Sequence, residues 1–351
     1  MTAVRNQVVV TGGAGFIGST LVEHLVRAGE RVVVVDNLAN GKRANLDRLP
    51  ADRLRLVVAD IRAPERYRDE LAAAHTIFHL ACLGLRHSLH APRENHEVNA
   101  TGTLAMLEAA RSAGVPRFVH VSSSEVYGPA ITSPMDESHP TRPSTVYGAG
   151  KLAGEAYARA FHSSHGLPVV IVRPFNGYGP RCHHEGDAGE VIPKFVLRAL
   201  AGRPLVVFGS GEQTRDFTYV DDIAHGIAAA ARCEAALGAT VNLGSGVALR
   251  ILDLADAVAK AVGRDLHIAH DTPRPGDLAA LCADAGLAHR LFGFRPAIAF
   301  EEGLARLLAW YRGLAIPPER LLDQEIERNW LPTCTSGEGE PLSIARSRHV
   351  G

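Results

Sequence analysis

Long apolar runs are missing from this chain. The longest, such as those at 7–11 and 31–35, are of strand length, well short of the roughly 20 residues a membrane-spanning helix needs. Charge of one sign is missing as well. Lys and Arg number 37 against 38 Asp and Glu, a formal net charge of −1, so no overall field draws in nucleic acid or an anionic membrane, and an anionic ligand needs a local site. Cysteine is scarce: Cys82, Cys182, Cys233, Cys282 and Cys334 are odd in number, widely spaced and free of any C-x-x-C pair. That pattern argues against a disulfide framework and for reduced thiols. With no signal-peptide h-region ahead of the first strand pattern, a cytoplasmic protein is expected.

What is there is core material, with 46% of the 351 residues hydrophobic. QVVVT (7–11), RVVVVD (31–36), LRLVVAD (54–60), TIFHLA (76–81), RFVHVSS (117–123) and PVVIVRP (168–174) are nearly continuous apolar runs rich in Val and Ile, the pattern of parallel strands buried on both faces. Amphipathic stretches at 17–28, 97–113 and 147–165 alternate with them. This alternation predicts an α/β fold with a doubly wound, Rossmann-type parallel sheet over 1–175. After 175 Gly and Pro become frequent and helices at 190–201, 221–233 and 251–262 are split by short strands, which suggests a smaller C-terminal α/β lobe over 176–332. The stretch 333–351 offers little to bury and is expected to be a mobile tail.

Directly after the first strand comes TGGAGFIGS, with Gly12, Gly15 and Gly18 in the spacing G-x-x-G-x-x-G. Between a strand and a helix, such glycines allow a tight turn, let backbone approach a pyrophosphate and bring helix against strand, with the helix N-terminus facing the phosphates. The second strand ends in Asp36, where a carboxylate accepts the adenosine ribose hydroxyls and repels a 2′-phosphate. NAD rather than NADP is therefore the expected cofactor. Phe16, Ile17, Asn37 and Pro174 are assigned to the same site, with Asp60 and Ile61 placed towards the adenine and Leu80 and Ala81 where backbone passes the cofactor. Tyr147 and Lys151 stand four apart at the start of a helical run, hence on one face. A neighbouring ammonium and a positive nicotinamide lower a phenol pKa from about 10. Tyr147 then serves as a general base that takes a hydroxyl proton as hydride leaves.

TGGAGFIG, Asp36, HLA (79–81), Asn99, SSSEVYG (122–128), Y-x-x-x-K (147–151), RPFNGYGPR (173–181) and GEQTRDFTYVDD (211–222) together resemble the extended short-chain dehydrogenase/reductases, specifically the NAD-dependent nucleotide-sugar epimerases and dehydratases. The resemblance spans residues from about 5 to 315. It implies bound NAD, a nucleotide-diphosphate sugar as substrate, and a homodimer joined through the helices at 97–113 and 147–165. It places Ser123 with Tyr147 and Lys151 in a catalytic triad, sets Asn99 beside the active site, and gives Arg215 and Arg274 a grip on the diphosphate, a role that suits an arginine fork. Asn176 matches a diphosphate contact, and the segment 181–195, with Val191, should cover the nucleotide. His183, His184, Glu185 and Asp187 within it read as polar contacts rather than a metal cluster, so no metal is expected. Arg86, His87 and Ser124 are expected to line the sugar pocket.

The resemblance leaves the reaction open. A 4-epimerase needs the triad and room for a 4-ketosugar to turn over. A 4,6-dehydratase also needs a base for the C5 proton and an acid for the C6 hydroxyl. Glu125 stands where related dehydratases carry that base, but Ser124 stands where they often carry an acidic Asp, and a serine is a poor proton donor unaided. The segment 273–294 resembles 4-epimerases, while FNGYGPRCH (175–183) resembles UDP-glucuronate decarboxylases. Ser-Glu pairs also occur in GDP-mannose dehydratases and UDP-glucuronate decarboxylases. A 4-epimerase is the favoured reading, with a Glu125-dependent dehydratase or decarboxylase as the alternative and a ketosugar reductase or a non-catalytic NAD-binding protein ranked below them.

Overall fold

The computed structural model describes residues 5–331; the expected tail over 333–351 lies outside them. Seven strands form one parallel sheet: β1 (Gln7–Thr11), β2 (Val32–Asp36), β3 (Leu54–Val58), β4 (Ala74–His79), β5 (Phe118–Val121), β6 (Val169–Pro174) and β10 (Thr240–Leu243), in the spatial order β10-β6-β5-β4-β1-β2-β3. The Val-rich runs explain the arrangement. Side chains alternate across a strand, and here both faces are covered: Val8, Val10, Val32 and Val34 meet one set of helices, while Val9, Val33, Val35 and Ile77 meet another.

Helices of the first region are α1 (Phe16–Arg27), α2 (Arg68–Ala72), α3 (Leu85–His90), α4 (Pro92–His96), α5 (Gly102–Ser112) and α6 (Val146–His165). A π-helical turn at Glu97–Thr101 leads into α5 and carries Asn99. The strand order reverses between β1 and β4, and in open sheets of this kind ligands bind at the carboxyl ends of the strands on either side of such a reversal.

The second region contains α7 (Val191–Leu200), α8 (Val220–Arg232), α9 (Ile251–Val262), α10 (Gly286–Phe292), α11 (Phe300–Arg312) and α12 (Pro318–Leu322). Its short strands are β7 (Asn176–Tyr178), β8 (Leu205–Phe208), β9 (Thr214–Tyr219), β11 (Ala248–Arg250), β12 (Ile268–Asp271) and β13 (Ala280–Leu281). They form a sheet in the order β11-β9-β13, with β7 also on β9, and a separate β12-β8 pair. A second core joins α7, α9 and α11 through Phe195, Leu254 and Leu307. A division at residue 175 does not follow the packing throughout. Ile223, Ala224 and Ile227 of α8 and Val241 and Leu243 of β10 complete the core around α1, so the chain returns to the first sheet after leaving it. β10 stands at the edge of that sheet, and its four residues include the polar Thr240 and Asn242, so no apolar run announces it.

Candidate active site

The loop between β1 and α1 is shaped by its glycines. A Cβ on Gly12, whose φ is +69°, would lie 2.7 Å from Ala81 N, and one on Gly18 would lie 2.1 Å from Gly12 O. The first glycine therefore admits the turn after β4, and the third seats α1 against the loop. Gly15 caps α1 without a side-chain hydrogen bond, which leaves the first N–H groups of the helix free for an anion. Asp36, at the end of β2, accepts hydrogen bonds from Ala14 N–H (2.9 Å) and Leu38 N–H (2.8 Å). Burial raises its pKa while those two bonds oppose the rise.

An open cleft runs from this loop across the strand ends, where ligands of such sheets bind. Gly12, Gly15, Phe16, Ile17, Gly18, Asp36, Asn37, Asp60, Ile61, Leu80, Ala81 and Pro174 all line it, and Ser123, Ser124, Glu125, Tyr147 and Lys151 line its far part. Asp60 is held by Arg62 through two side-chain bonds and by Asn37 at 3.4 Å. These residues fit a dinucleotide: a glycine cradle no Cβ could enter, an open helix N-terminus, and a carboxylate where a ribose would lie. Asn99 stands behind the wall. It accepts from Leu83 N–H (2.9 Å) and donates to Leu83 O (2.9 Å) and Asn95 Oδ1 (2.9 Å), so its side chain shapes the loop after β4 instead of facing the cleft.

The catalytic constellation comes from β5 and α6. Thr145 caps α6 by accepting Gly148 N–H at 3.1 Å, the standard way to satisfy a first-turn donor. A Cβ on Gly148 would lie 2.6 Å from Glu125 O, so glycine lets the helix approach the SSSEVYG turn closely. Lys151 is 2% exposed, and its Nζ donates to Val121 O at 2.6 Å. Burial lowers its pKa. Tyr147 is pushed well above the ordinary phenol range, chiefly by burial, with the Ser123 hydroxyl working in the opposite direction. In the protein alone, burial governs the phenol, and the ammonium expected from the sequence to lower it is not among its main influences. Ser123 Oγ also accepts Glu125 N–H at 3.2 Å, which fixes the turn that carries Glu125.

Beneath this surface is a buried ion-pair frame. Glu155, on α6, accepts Ser122 Oγ at 2.6 Å, Arg173 Nε at 2.8 Å, Arg173 Nη2 at 2.7 Å and Arg159 Nη1 at 3.0 Å. Arg173 in turn lies over the Tyr127 ring, 4.6 Å from its centroid, and Tyr127 Oη donates to Asn242 Oδ1 at 2.7 Å. One carboxylate so ties α6 to the ends of β5 and β6.

An adjoining pocket shares Arg86, Asn176, Glu190, Arg215 and Arg274 with the cleft and adds Val191, Lys194, Phe208, Asp277 and Trp330. Phe208 and Trp330 meet edge to face at 4.7 Å. Asp277 accepts from Arg215 Nη2 and from Arg274 Nη2, while Asn176 Oδ1 and Arg274 Nε have no hydrogen-bond partner among the described residues. Arg86 donates from both Nη atoms to Glu190, at 3.0 and 3.1 Å. His87 does not join this lining: its Nε2 sits 3.4 Å from Glu94. On the short helix α3 the adjacent Arg86 points inward and His87 away. His183 Nδ1 and Lys42 Nζ both reach Glu185 Oε1, at 3.1 and 2.6 Å, and Asp187 meets His90 at 3.0 Å. No group of three or more His, Cys, Asp or Glu among the described residues is arranged to hold a metal.

Glu125 faces the junction of the two spaces. Burial raises its pKa, and the charges of Arg215, Arg274 and Arg86 lower it. Sequence reasoning missed Glu155, Glu190, Asp277 and Lys194. None has a motif of its own, although Glu190 and Lys194 stand within the segment expected to cover the nucleotide and Asp277 within the segment 273–294.

A model of the NAD dependent epimerase/dehydratase family matches residues 8–244. The chain is 37% identical over 313 residues to the UDP-glucose 4-epimerase of Mycolicibacterium smegmatis, covering 87% of this chain and 98% of that protein. It is 34% identical to UDP-glucuronic acid decarboxylase 1 of Arabidopsis thaliana, covering 88% of this chain and 70% of that one. Among solved structures, DesIV of Streptomyces venezuelae, a dTDP-glucose 4,6-dehydratase with NAD bound, superposes with a TM-score of 0.83 at 36% identity, covering 87% of this chain and 97% of that one.

Proposed function

Because the chain belongs to the NAD-dependent epimerase/dehydratase family, with NAD as its cofactor, we propose that it is a nucleotide-sugar 4-epimerase working through a transient 4-keto sugar. The observation that carries this reading is the pair at 124–125. Ser124 is buried, 3% exposed, where a dehydratase needs an acid for the C6 hydroxyl, and the nearby Glu190 is engaged by Arg86. The resemblance to a UDP-glucose 4-epimerase over most of both chains supports it. Arg215 and Arg274 would hold the diphosphate, leaving Asp277 for it. The pocket with Val191, Phe208 and Trp330 would take the nucleoside.

Bound NAD would supply a hydride acceptor, and a donor to the opposite sugar face, together with the positive charge that offsets the burial of Tyr147. Tyr147 then takes the C4 hydroxyl proton as a general base. Ser123 holds the same hydroxyl, and Lys151, fixed on Val121 O, keeps an ammonium beneath the phenol. Nothing further is needed for epimerisation. The second reading uses Glu125 as a base for the C5 proton, and the resemblance to dehydratases and a decarboxylase favours keeping it in view.

Product mass after incubation with UDP-, GDP-, ADP- and dTDP-sugars separates the reactions: unchanged mass supports epimerisation, loss of water dehydration, loss of carbon dioxide decarboxylation. Glu125→Gln should retain epimerisation. A variant that accumulates reduced cofactor without product would assign Glu125 to the C5 proton instead. A homodimer through the region of α5 and α6 and a cytoplasmic location belong to the same reading, and light scattering and cell fractionation test them. No helix among the described residues is long and apolar enough to cross a membrane.

A further inference from the structure

Three arginines and three carboxylates meet where the cleft joins the adjoining pocket, and they are not equivalent. Arg215 and Arg274 share the single carboxylate of Asp277, so this group carries one uncompensated positive charge. Arg86 is different. Both of its Nη atoms are taken by the two oxygens of Glu190, the bidentate geometry in which a guanidinium and a carboxylate satisfy each other best. Arg86 comes from α3, four residues after Cys82, which lines the cleft beside Tyr147. Glu190 precedes α7 on the opposite wall. Both groups act on the reacting side chains: Glu190 adds to the upward push on Tyr147, and Arg86 to the downward pull on Glu125. The carboxylate of Glu125 has no hydrogen-bond or ion-pair partner of its own among the described residues.

The named relatives divide by the charge of the sugar. One is named for a glucose nucleotide and one for glucuronic acid. A uronate brings a carboxylate at C6 in addition to the diphosphate, and it needs a cation beside the sugar ring. With Arg215 and Arg274 committed to the diphosphate on the proposed reading, Arg86 is the remaining cation there, and Glu190 already neutralises it.

We infer that Glu190 is a specificity residue which, by pairing Arg86, fits the sugar subsite to a neutral hexose and excludes uronates. This rests on the nucleotide-sugar reading of the site. With Glu190 in place a C6 carboxylate would meet Glu125 and Glu190 and find no free donor fork. Without that charge, Arg86 is released to bind it.

The test is calorimetric binding and turnover with two pairs, UDP-glucose with UDP-glucuronate and GDP-mannose with GDP-mannuronate, on the NAD-loaded enzyme and on Glu190→Gln. The wild type should favour the neutral member of at least one pair by about a hundredfold or more, the scale of one like-charge juxtaposition. Glu190→Gln should move that ratio towards the uronate by about tenfold or more, and adding Arg86→Leu should cancel the shift. Equal binding of both members by the wild type overturns the inference, as does an unchanged ratio in Glu190→Gln with normal NAD content and melting temperature. Should Glu190→Gln fail to fold, the wild-type preference alone still decides, since preference for the uronate sinks the idea. Binding of neither pair removes the nucleotide-sugar reading itself, a result distinct from equal binding of both.

Discussion

Removing the carboxylate of Glu155 should unfold the catalytic frame from below. The side chain is fully buried, and the Arg173 guanidinium it holds is 4% exposed. Glu155→Ala leaves that guanidinium in the core with its main counter-charge gone, a loss that costs about 3–5 kcal/mol. Arg159 adds little to the loss, because it is 41% exposed and can turn to water once the carboxylate is gone. At about 2 °C per kcal/mol for a chain of this size, the melting temperature should fall by about 6–10 °C. The pH dependence has a definite sign. Hydrogen bonds and charge from Arg173 hold the folded pKa of Glu155 below its ordinary value, against burial. A depressed carboxylate contributes stability that is present above its unfolded pKa, about 4.3, and lost as the pH falls through the folded value. The deficit of Glu155→Gln should therefore be largest near neutrality and shrink in acid. Urea unfolding of the NAD-loaded protein at several pH values measures this. The double variant Glu155→Leu/Arg173→Met should recover most of the loss, because it buries no unpaired charge. A single-variant loss under about 1 kcal/mol, or a double variant as unstable as the single, would refute the reasoning.

Two further outcomes follow from the cofactor cleft. Gly18→Ala places a methyl group 2.1 Å from Gly12 O, so α1 must move off the loop; the purified variant should carry little NAD, and full occupancy on release by denaturation would count against the cradle. Lys42→Ala breaks the 2.6 Å pair with Glu185 that joins the turn after β2 to the 181–190 loop across the cleft mouth. Since Lys42 is half exposed, the pair contributes at most about 1 kcal/mol, and NAD should leave up to about fivefold faster in a trapping assay.

Legibility in the sequence followed the chemistry of each residue. Gly12 and Gly18 were readable because a turn and a helix contact forbid a side chain at each, and Gly15 because it completes their spacing. Asp36 was readable from its place at a strand end, and Tyr147 and Lys151 from a helical spacing that fixes a shared face. Arg86 and His87 were not separable, because adjacent positions on a helix point about 100° apart and only the packing of α3 decides which faces inward. Asn99 belongs to the wall that the sequence indicates, but its side chain is taken up by Leu83 and Asn95, contacts that leave no mark in the apolar pattern. Glu155, Glu190 and Asp277 were unreadable because each also takes an arginine partner 18, 104 or 62 positions away, and charge pairing at that range has no period; the short-range pairs Glu155–Arg159 and Arg274–Asp277 read as ordinary solvated contacts.

These long-range pairs also bear on what Glu125 can do. Its carboxyl is raised by burial and lowered by Arg215, Arg274 and Arg86. On the proposed reading a diphosphate takes up the field of the first two, and Glu190 already cancels the third. Substrate binding then weakens the downward pull on the Glu125 pKa without relieving its burial, so the carboxyl becomes more basic once a sugar is in place. In an epimerase that extra basicity has no partner, because Ser124 offers no acid to complete an elimination. The same Glu125 beside an acid would drive one, which makes the residue at 124, more than Glu125 itself, the point at which the two chemistries part.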